Sequence, residues 1–347
     1  MIFKISGFGA LFMVNVLVGV LSEQVRQVTQ PGIHTEGPVW DHANDGLYFV
    51  DIAADRLEYY DPKTGVVHKV TLDGPVSPVL VLPGGNLAVG VGRQLRLMDW
   101  AAYNFSSIIP QITPPVVLTT VEDDKPGNRF NDGNIDSVGR IWIGTMGPEP
   151  VVGQVTPDQG SLYRITLQSP SRHVSSLPRQ EHAVEVKTVL SPVSISNGLV
   201  WNHEETLMYY IDTPTRRVDV FDFNLAQGTL GTRRTAFDFA AHNVTGNPDG
   251  MTIDSDGNIW VACFGGSQIV QADPRRNALL RSVAIPASQV TSVEFGGPYV
   301  DGGDTLYVTS MRKGLSEEEL VREPLAGSVF AVTGLGTCGQ RSASCRT

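Results

Sequence analysis

The sequence predicts an all-β fold, a six-bladed β-propeller with four-stranded blades, between residues 31 and 332. Three observations support this prediction. One strand–turn–strand pattern recurs along the chain, apolar residues alternate with polar ones inside it, and the 36 glycines and 22 prolines are spread over all 347 residues. Such a distribution is typical of short strands joined by tight turns. Closed all-β folds often exceed about 200 residues, so one domain is expected.

The recurring pattern is a polar residue, an apolar strand, a turn with Asp, Asn or Gly, and a second strand. Clear copies begin at residues 36, 132, 197 and 249, and weaker copies begin at residues 77 and 291. Copies about 40–65 residues apart fit four-stranded propeller blades with additional residues in loops. Six similar units are difficult to place in the alternative fold, a two-sheet sandwich. Residues 316–320 predict one helical turn.

The N-terminal segment, residues 1–22, predicts a secretory signal peptide. Lys4 precedes an uncharged stretch from residue 5 to residue 21, and Ser22 is a small residue at its end. The alternatives are an uncleaved signal anchor, because the stretch approaches membrane-spanning length, and a buried strand. We therefore expect a secreted protein or, if the segment is retained, a signal-anchored membrane protein.

Two further features agree with secretion. Glycosylation sequons begin at Asn104 and Asn243. Cys338 and Cys345 lie close together in a C-terminal tail, residues 333–347, where they can form a small disulfide loop. Cys263 lies in a strand-like apolar run and is expected to be a small buried residue.

Charge and motifs exclude several classes of function. The net charge is −10 without a dense Lys/Arg run, so nucleic acid and anionic membranes are poor partners. No Walker loop, dinucleotide fingerprint or Gly-x-Ser-x-Gly elbow occurs, which disfavours NTPase, dinucleotide and serine-hydrolase chemistry.

The first residue of the four clear copies carries an oxygen donor. These residues are Glu36, Asp132, Asn197 and Asp249. Equivalent positions of propeller blades converge on the central axis, and such hard donors suit Ca²⁺, Mg²⁺ or Mn²⁺. The alternative is that Asp-Gly and Asn-Gly simply close turns. That alternative does not explain the glutamate at residue 36.

Three other polar residues are candidates for substrate contacts. Arg129 and Asn131 lie directly before Asp132, and Glu149 follows a predicted strand and is expected to arch over the channel mouth. Any one of them alone is also typical of a solvated loop. His34 precedes Glu36 closely enough to support it.

The motifs resemble those of the family that contains senescence marker protein/regucalcin, gluconolactonase and luciferin-regenerating enzyme. The matching segments are residues 36–40, 128–133, 144–146, 160–163, 196–201 and 248–254. The N-terminal segment and the cysteine-containing tail depart from the pattern of vertebrate regucalcins, and residues 168–192 form an unusually long insertion that can reshape the mouth.

The resemblance implies a metal-dependent hydrolase of a sugar lactone or similar small ester. One divalent cation (Ca²⁺, Zn²⁺, Mn²⁺ or Mg²⁺) would be held by Glu36, Asn197 and Asp249, and Asp249 would also be the catalytic acid/base. Arg129, Asn131 and Glu149 would bind the substrate hydroxyls. The alternatives are a non-catalytic Ca²⁺-binding regulatory protein, a luciferin-regenerating type of enzyme, and a protein-interaction propeller. The expected partner is a small molecule, with no membrane partner unless the N-terminal segment is an anchor.

Overall fold

The structure, a computed structural model, describes residues 23–100, 115–167, 183–297 and 305–340. The predicted leader, Asn104 and Cys345 lie outside these residues. The strands of the described part are β1 (Gln24–Gln27), β2 (Thr35–Asp41), β3 (Gly46–Asp51), β4 (Arg56–Asp61), β5 (Val66–Thr71), β6 (Val76–Val81), β7 (Leu87–Val91), β8 (Gln94–Met98), β9 (Val116–Thr120), β10 (Arg129–Ile135), β11 (Ile141–Met146), β12 (Gly160–Leu167), β13 (Val184–Val193), β14 (Ser196–Trp201), β15 (Leu207–Asp212), β16 (Arg217–Asn224), β17 (Thr229–Asp238), β18 (Asn247–Ile253), β19 (Ile259–Phe264), β20 (Gln268–Asp273), β21 (Ala278–Ala284), β22 (Gln289–Gly296), β23 (Thr305–Met311) and β24 (Phe330–Thr333).

Helical structure is a minor part of the described residues. Two 3-10 turns occur at Ile52–Ala54 and Thr213–Thr215, and one α-helix, α1, spans Glu317–Arg322. Helix α1 begins at a capping box formed by Ser316 and Glu319, as the short polar run in the sequence predicts. Within the described ranges, no helix is long and apolar enough to span a membrane.

The strands form antiparallel groups of four in chain order. Strands β2–β5, β6–β9, β10–β13 and β14–β17 each make one sheet. Strands β18–β21 make a fifth group, and β22–β24 make a sixth together with β1; a single pairing between Phe264 and Gln289 joins these two groups. We refer to the groups as sheets one to six. The prediction of an all-β protein built from four-stranded sheets is confirmed.

Both ends of the described chain meet in sheet six. Strand β1 pairs with β24, with Gln24 opposite Thr333 and Gln27 opposite Phe330. Sheet six therefore takes its fourth strand from the beginning of the chain, ahead of residue 31. The start of the C-terminal tail is also ordered, because Gly339 bridges to Asp254 at the end of β18.

The core lies between neighbouring sheets. The second strands of sheets one and three, β3 and β11, are buried along their whole length, whereas the fourth strand β9 is mostly exposed. A sheet covered on both faces favours continuous apolar runs such as Ile141-Trp142-Ile143 in β11, because neither face meets water. Six apolar clusters combine side chains from adjacent sheets.

The first strand of each sheet lies against the first strand of the next. Strand β2 contacts β6, and the contacts continue through β10, β14 and β18 to β22, which in turn contacts β2. A cavity of about 440 Å³ runs along these strands, and all six contribute residues to its lining. Residues placed at one level of the first strands are therefore brought together.

Candidate active site

Each first strand carries a bulge at the same level of its pairing with the second strand. In all six pairs, two successive register partners are three residues apart on the first strand and two apart on the second. The residues inside the bulges are Gly37 and Pro38, Ser77 and Pro78, Asn131 and Asp132, Asn197 and Gly198, Asp249 and Gly250, and Thr291 and Ser292. Bulges redirect side chains and are frequent beside active sites.

The bulges correct the expected equivalence of the four oxygen donors. Asn197 and Asp249 are first bulge residues, but Asp132 is a second bulge residue and Glu36 precedes its bulge. In the sequence, the repeats were matched to one another by the glycine that follows each oxygen donor. Gly37 is itself a first bulge residue with a positive φ of 52°, whereas Gly133 lies after the bulge. The glycines therefore do not mark one structural position.

Aspartates at the ends of two second strands hold the segments that lead into the first strands. The carboxylate of Asp51 accepts hydrogen bonds from the backbone N–H groups of Ile33 (2.9 Å) and His34 (3.0 Å), just ahead of Glu36. Asp212 accepts the corresponding bonds from Ser194 and Ile195, just ahead of Asn197. Two predicted ligands thus enter the site from segments fixed in the same way.

Glu36, Asp132 and Asp249 form one group of interacting carboxyls. Burial and the charge of Asp132 raise the pKa of Glu36 to about 8, and burial raises the pKa of Asp132 to about 6. Burial and the charges of Glu36 and Asp132 raise the pKa of Asp249 well above its usual range. Only 6% of Glu36 and 8% of Asp249 are exposed. Buried carboxylates are normally paired or bound to a metal, so this group is a candidate cation site.

Asn197 is held between three polar neighbours. Its Nδ2 donates to Thr213 Oγ1 (2.8 Å), which fixes the orientation of the amide, and its Oδ1 accepts from Asn131 Nδ2 (3.2 Å). A hydrogen bond from Asn197 also lowers the pKa of Asp249. Asn131 is anchored in turn, because its Nδ2 donates to the backbone carbonyl of Ser196 (2.9 Å).

Arg129 places a cation beside these carboxyls. Its Nη1 donates to Asn131 Oδ1 (2.7 Å) and to the carbonyl oxygen of Phe130 (2.9 Å). Burial lowers the pKa of Arg129, while the charges of Glu149, Glu36 and Asp249 act in the opposite direction. Arg129 and Asn131 are therefore joined both to each other and to the predicted metal ligands.

Glu149 lies at the edge of this arrangement, on the segment between β11 and β12. Its Oε1 accepts from the backbone N–H of Gly153 (2.7 Å), and its Oε2 is 3.8 Å from Lys313 Nζ. His34 faces the same region. Burial and the charges of Arg129 and Lys313 lower the pKa of His34 to about 3, so its imidazole is neutral.

The donor set fits a hard divalent cation. No three His, Cys, Asp or Glu side chains of the described ranges form a ready-made metal cluster. The predicted set instead combines two carboxylates with an amide oxygen, and burial together with the charges of neighbouring carboxyls raises the pKa values of the two carboxyls. Carboxylate and carbonyl oxygens are the ligands that Ca²⁺, Mg²⁺ and Mn²⁺ prefer.

Sequence reasoning missed the hydroxyl groups that support the site. Ser292 hydrogen-bonds Glu36, and Ser77 Oγ donates to the carbonyl oxygen of Asn131. Both serines lie in the bulges of the two weaker repeats. In the sequence, these two serines were the available signal of a supporting role. They occupy the part of the weaker repeats in which the clear repeats carry carboxyl or amide groups.

Comparison with known proteins identifies the family. Residues 34–312 match the family model described as SMP-30/Gluconolactonase/LRE-like region, which includes every predicted site residue. The chain belongs to this family. Regucalcin of Macaca fascicularis is 37% identical over 304 residues, which cover 88% of this chain and 92% of the relative. The family resemblance predicted from the motifs is therefore confirmed.

Solved structures agree with this assignment. A luciferin-regenerating enzyme is similar to this chain, with a TM-score of 0.79 at 33% identity. The match covers 94% of this chain and 100% of the enzyme. A regucalcin of Agrobacterium tumefaciens, described as a calcium-binding protein, has a TM-score of 0.77 at 23% identity over 93% of this chain and 98% of its own. The second similarity shows a shared fold alone.

Proposed function

We propose that this protein is a metal-dependent hydrolase that opens a sugar lactone or a similar small ester. One observation carries the proposal: the buried carboxyls of Glu36 and Asp249 and the half-buried carboxyl of Asp132 lie near Asn197 and beside the hydrogen-bonded pair of Arg129 and Asn131. A protein that only stores a cation needs the oxygen donors but not the pair. Membership of a family that is described partly as gluconolactonase supports the same reading.

We further propose that the six sheets are the blades of one closed propeller. The unbroken series of contacts from β2 to β22 and back to β2 supports closure, as does the pairing of β1 with β24. In a closed ring the six bulges encircle one axis, so donors from different sheets reach a common point.

In this proposal Glu36, Asn197 and Asp249 hold one divalent cation, which when bound supplies Lewis-acid stabilisation of the oxyanion that forms as the lactone opens. The carboxylate of Asp249 accepts the proton of the attacking water and returns it to the leaving ring oxygen. In the cation-free protein, burial and the charges of Glu36 and Asp132 raise the pKa of the Asp249 carboxyl. Arg129 and Asn131 orient the substrate hydroxyls beside the carboxylates, and Glu149 accepts a hydrogen bond from the side nearest solvent.

Turnover assays on the purified protein test this function. A panel of aldonolactones and small esters is assayed after chelation and after addition of Ca²⁺, Mg²⁺, Mn²⁺ or Zn²⁺. We expect hydrolysis only with a divalent cation, its loss in Asp249→Ala and a higher KM in Arg129→Ala. Cation binding without turnover of any substrate would instead support the calcium-binding alternative suggested by the description of the Agrobacterium relative.

We also propose that the protein is secreted. Cys338 is disulfide-bonded, whereas Cys263 is free and buried, and disulfides persist mainly in oxidising compartments. Asn243 is exposed on a turn with a positive φ of 54°, where a glycan can be attached. N-terminal sequencing of the product from eukaryotic cells checks the proposal: an N-terminus near Glu23 supports it, and an intact Met1 on an unglycosylated cytosolic protein contradicts it.

A further inference from the structure

Glu122 is the second residue of the segment that connects β9 to β10. Its φ of 53° is in the left-handed region, which is uncommon for a residue other than glycine. Two tight turns follow, because the N–H of Lys125 donates to the carbonyl oxygen of Glu122 (2.8 Å) and the N–H of Asn128 donates to that of Lys125 (3.0 Å). Glu122 therefore sets the path of the chain up to the first residue of β10, which is Arg129.

The carboxylate of Glu122 joins three separate parts of sheet three. Its Oε1 accepts hydrogen bonds from Thr145 Oγ1 (2.9 Å) on β11 and from the hydroxyl of Tyr163 (3.0 Å) on β12. Its Oε2 accepts from Asn128 Nδ2 (2.8 Å). All three donor residues are buried. Hydrogen bonds to an ionised carboxylate are stronger than neutral ones, so the segment is fastened firmly to the sheet.

This anchor lies next to the candidate site without touching it. Asn128, which Glu122 holds, directly precedes Arg129 and also donates to the carbonyl oxygen of Gln159 (2.9 Å). On the other side of Arg129, the N–H of Phe130 donates to the carbonyl oxygen of Gly92 (2.8 Å). The start of β10 is thereby fixed on both sides of Arg129. A shift of Asn128 would move the guanidinium and, through it, Asn131.

We infer that Glu122 is a positioning residue for Arg129 and Asn131, which it holds in place through Asn128. The inference rests on the lactonase function proposed above and adds a residue that contacts neither substrate nor cation. Misplacing a substrate-binding group by about 1 Å can cost up to about 10²-fold in rate, so loss of the anchor should be visible in catalysis.

The test is Glu122→Gln, which keeps the size of the side chain and removes its charge. We expect KM to rise about tenfold, while cation affinity, measured by calorimetry, falls less than in Asn131→Ala, because Asn131 keeps its own bonds to Ser196 and Asn197. In an Arg129→Ala background the same change should alter kcat/KM less than about twofold, because a residue that acts through Arg129 cannot act without it. Equal effects of Glu122→Gln in the two backgrounds would overturn the inference.

Glu205 provides a matched control. It too has a positive φ, 48°, and its carboxylate accepts bonds from the N–H and hydroxyl of Ser137, but it lies in the turn after β14, at the far end of the first strands. Glu205→Gln should leave KM unchanged. If Glu122→Gln lowers thermal stability while KM remains parental, its role is merely structural and the inference is wrong.

Amide hydrogen exchange separates failure of this inference from failure of the proposed function. If the parent protein hydrolyses no substrate in the panel, the proposed function fails. The anchor is still tested, because exchange of the Phe130 amide should be at least about tenfold faster in Glu122→Gln than in the parent or in Glu205→Gln. Unchanged exchange at Phe130 would overturn the inference even if the parent is an active lactonase.

Discussion

The bulges of sheets three, four and five differ from those of sheets two and six in what their side chains do. The first group carries Asn131, Asn197 and Asp249, whose amide and carboxyl groups meet at the candidate site. The second group carries hydroxyls that bond to a neighbouring sheet: Ser77 Oγ donates to the carbonyl of Asn131, Thr291 Oγ1 donates to that of Thr35 (2.7 Å), and Ser292 hydrogen-bonds the Glu36 carboxyl. The same backbone irregularity thus holds groups of the candidate site in sheets three to five and attachments to a neighbouring sheet in sheets two and six.

This difference separates what belongs to the fold from what belongs to the function. The bulge is present in all six sheets, so it is a feature of the fold. The chemistry depends on which side chain occupies it. The hydroxyl bulges also contact segments that carry candidate site residues. Thr35 directly precedes Glu36, and Asn131 is itself a candidate substrate-binding residue.

Removing the carboxylate of Asp249 should have the largest effect. We expect Asp249→Ala to lower kcat by about 10²–10⁴-fold and to weaken cation binding, because this residue is both the proposed base and a ligand. Turnover assays and calorimetry on the folded variant provide the measurement. Parental activity in that variant would show that the bulge of sheet five does not carry the chemistry.

Arg129→Ala and Asn131→Ala should separate two functions within one bulge region. Sequence reasoning expects both variants to lose substrate binding while keeping cation affinity. The structure sharpens this for Asn131, whose Nδ2 donates to Asn197 Oδ1, because outer partners of ligands typically contribute about 10–100-fold to metal affinity. We expect weaker cation binding in Asn131→Ala alone. Equal cation affinities, measured by calorimetry, would remove Asn131 from the support of the ligand.

The stability of the cation-free protein should depend on pH through the carboxyl groups of Glu36 and Asp132. Folding raises the pKa of Glu36 to about 8 and that of Asp132 to about 6, so the unfolded chain loses these protons first as pH rises. Relative to Glu36→Gln, in which His34 titrates as in the parent but residue 36 does not titrate, the parent in chelator should therefore lose melting temperature between about pH 4 and about pH 8, and added Ca²⁺ should restore more of it at the upper end. Glu36→Gln is the control, and its decline should be shallower. Identical pH profiles for parent and control would contradict the assignment.

The smallest effect on activity is expected in a hydroxyl bulge. Thr291→Val removes the bond to the carbonyl of Thr35 and should reduce the free energy of unfolding by about 1–2 kcal/mol, because a buried acceptor loses its donor. We expect kcat to stay within about threefold of the parent. Chemical denaturation and turnover assays check the two parts separately. A large loss of kcat with little loss of stability would remove the distinction between the two kinds of bulge.

The repeats revealed the sheets because strands buried on both faces require apolar runs, and such runs recur along the chain between Gly, Asp and Asn turns. They did not reveal β1, since three of its four residues, Gln24–Gln27, are polar, two are exposed, and a single valine makes no apolar pattern. They also did not reveal the register of the bulges, because Gly37 and Gly133 look alike in sequence but occupy different structural positions. Glu122 was missed for a similar reason: its partners at residues 145 and 163 are far away in the chain and carry no local signal.

The pairing of β1 with β24 also governs the order in which the protein can fold. About 300 residues separate the two strands, so their association closes a very long loop and carries a large entropic cost before it gains any contacts. During synthesis, sheets one to five can form as their strands leave the ribosome. Sheet six has to wait for the C-terminal strand, and until then β1 and the edge of β23 that pairs with β24 lack their partner strand. That interval is when the nascent chain most needs protection from aggregation.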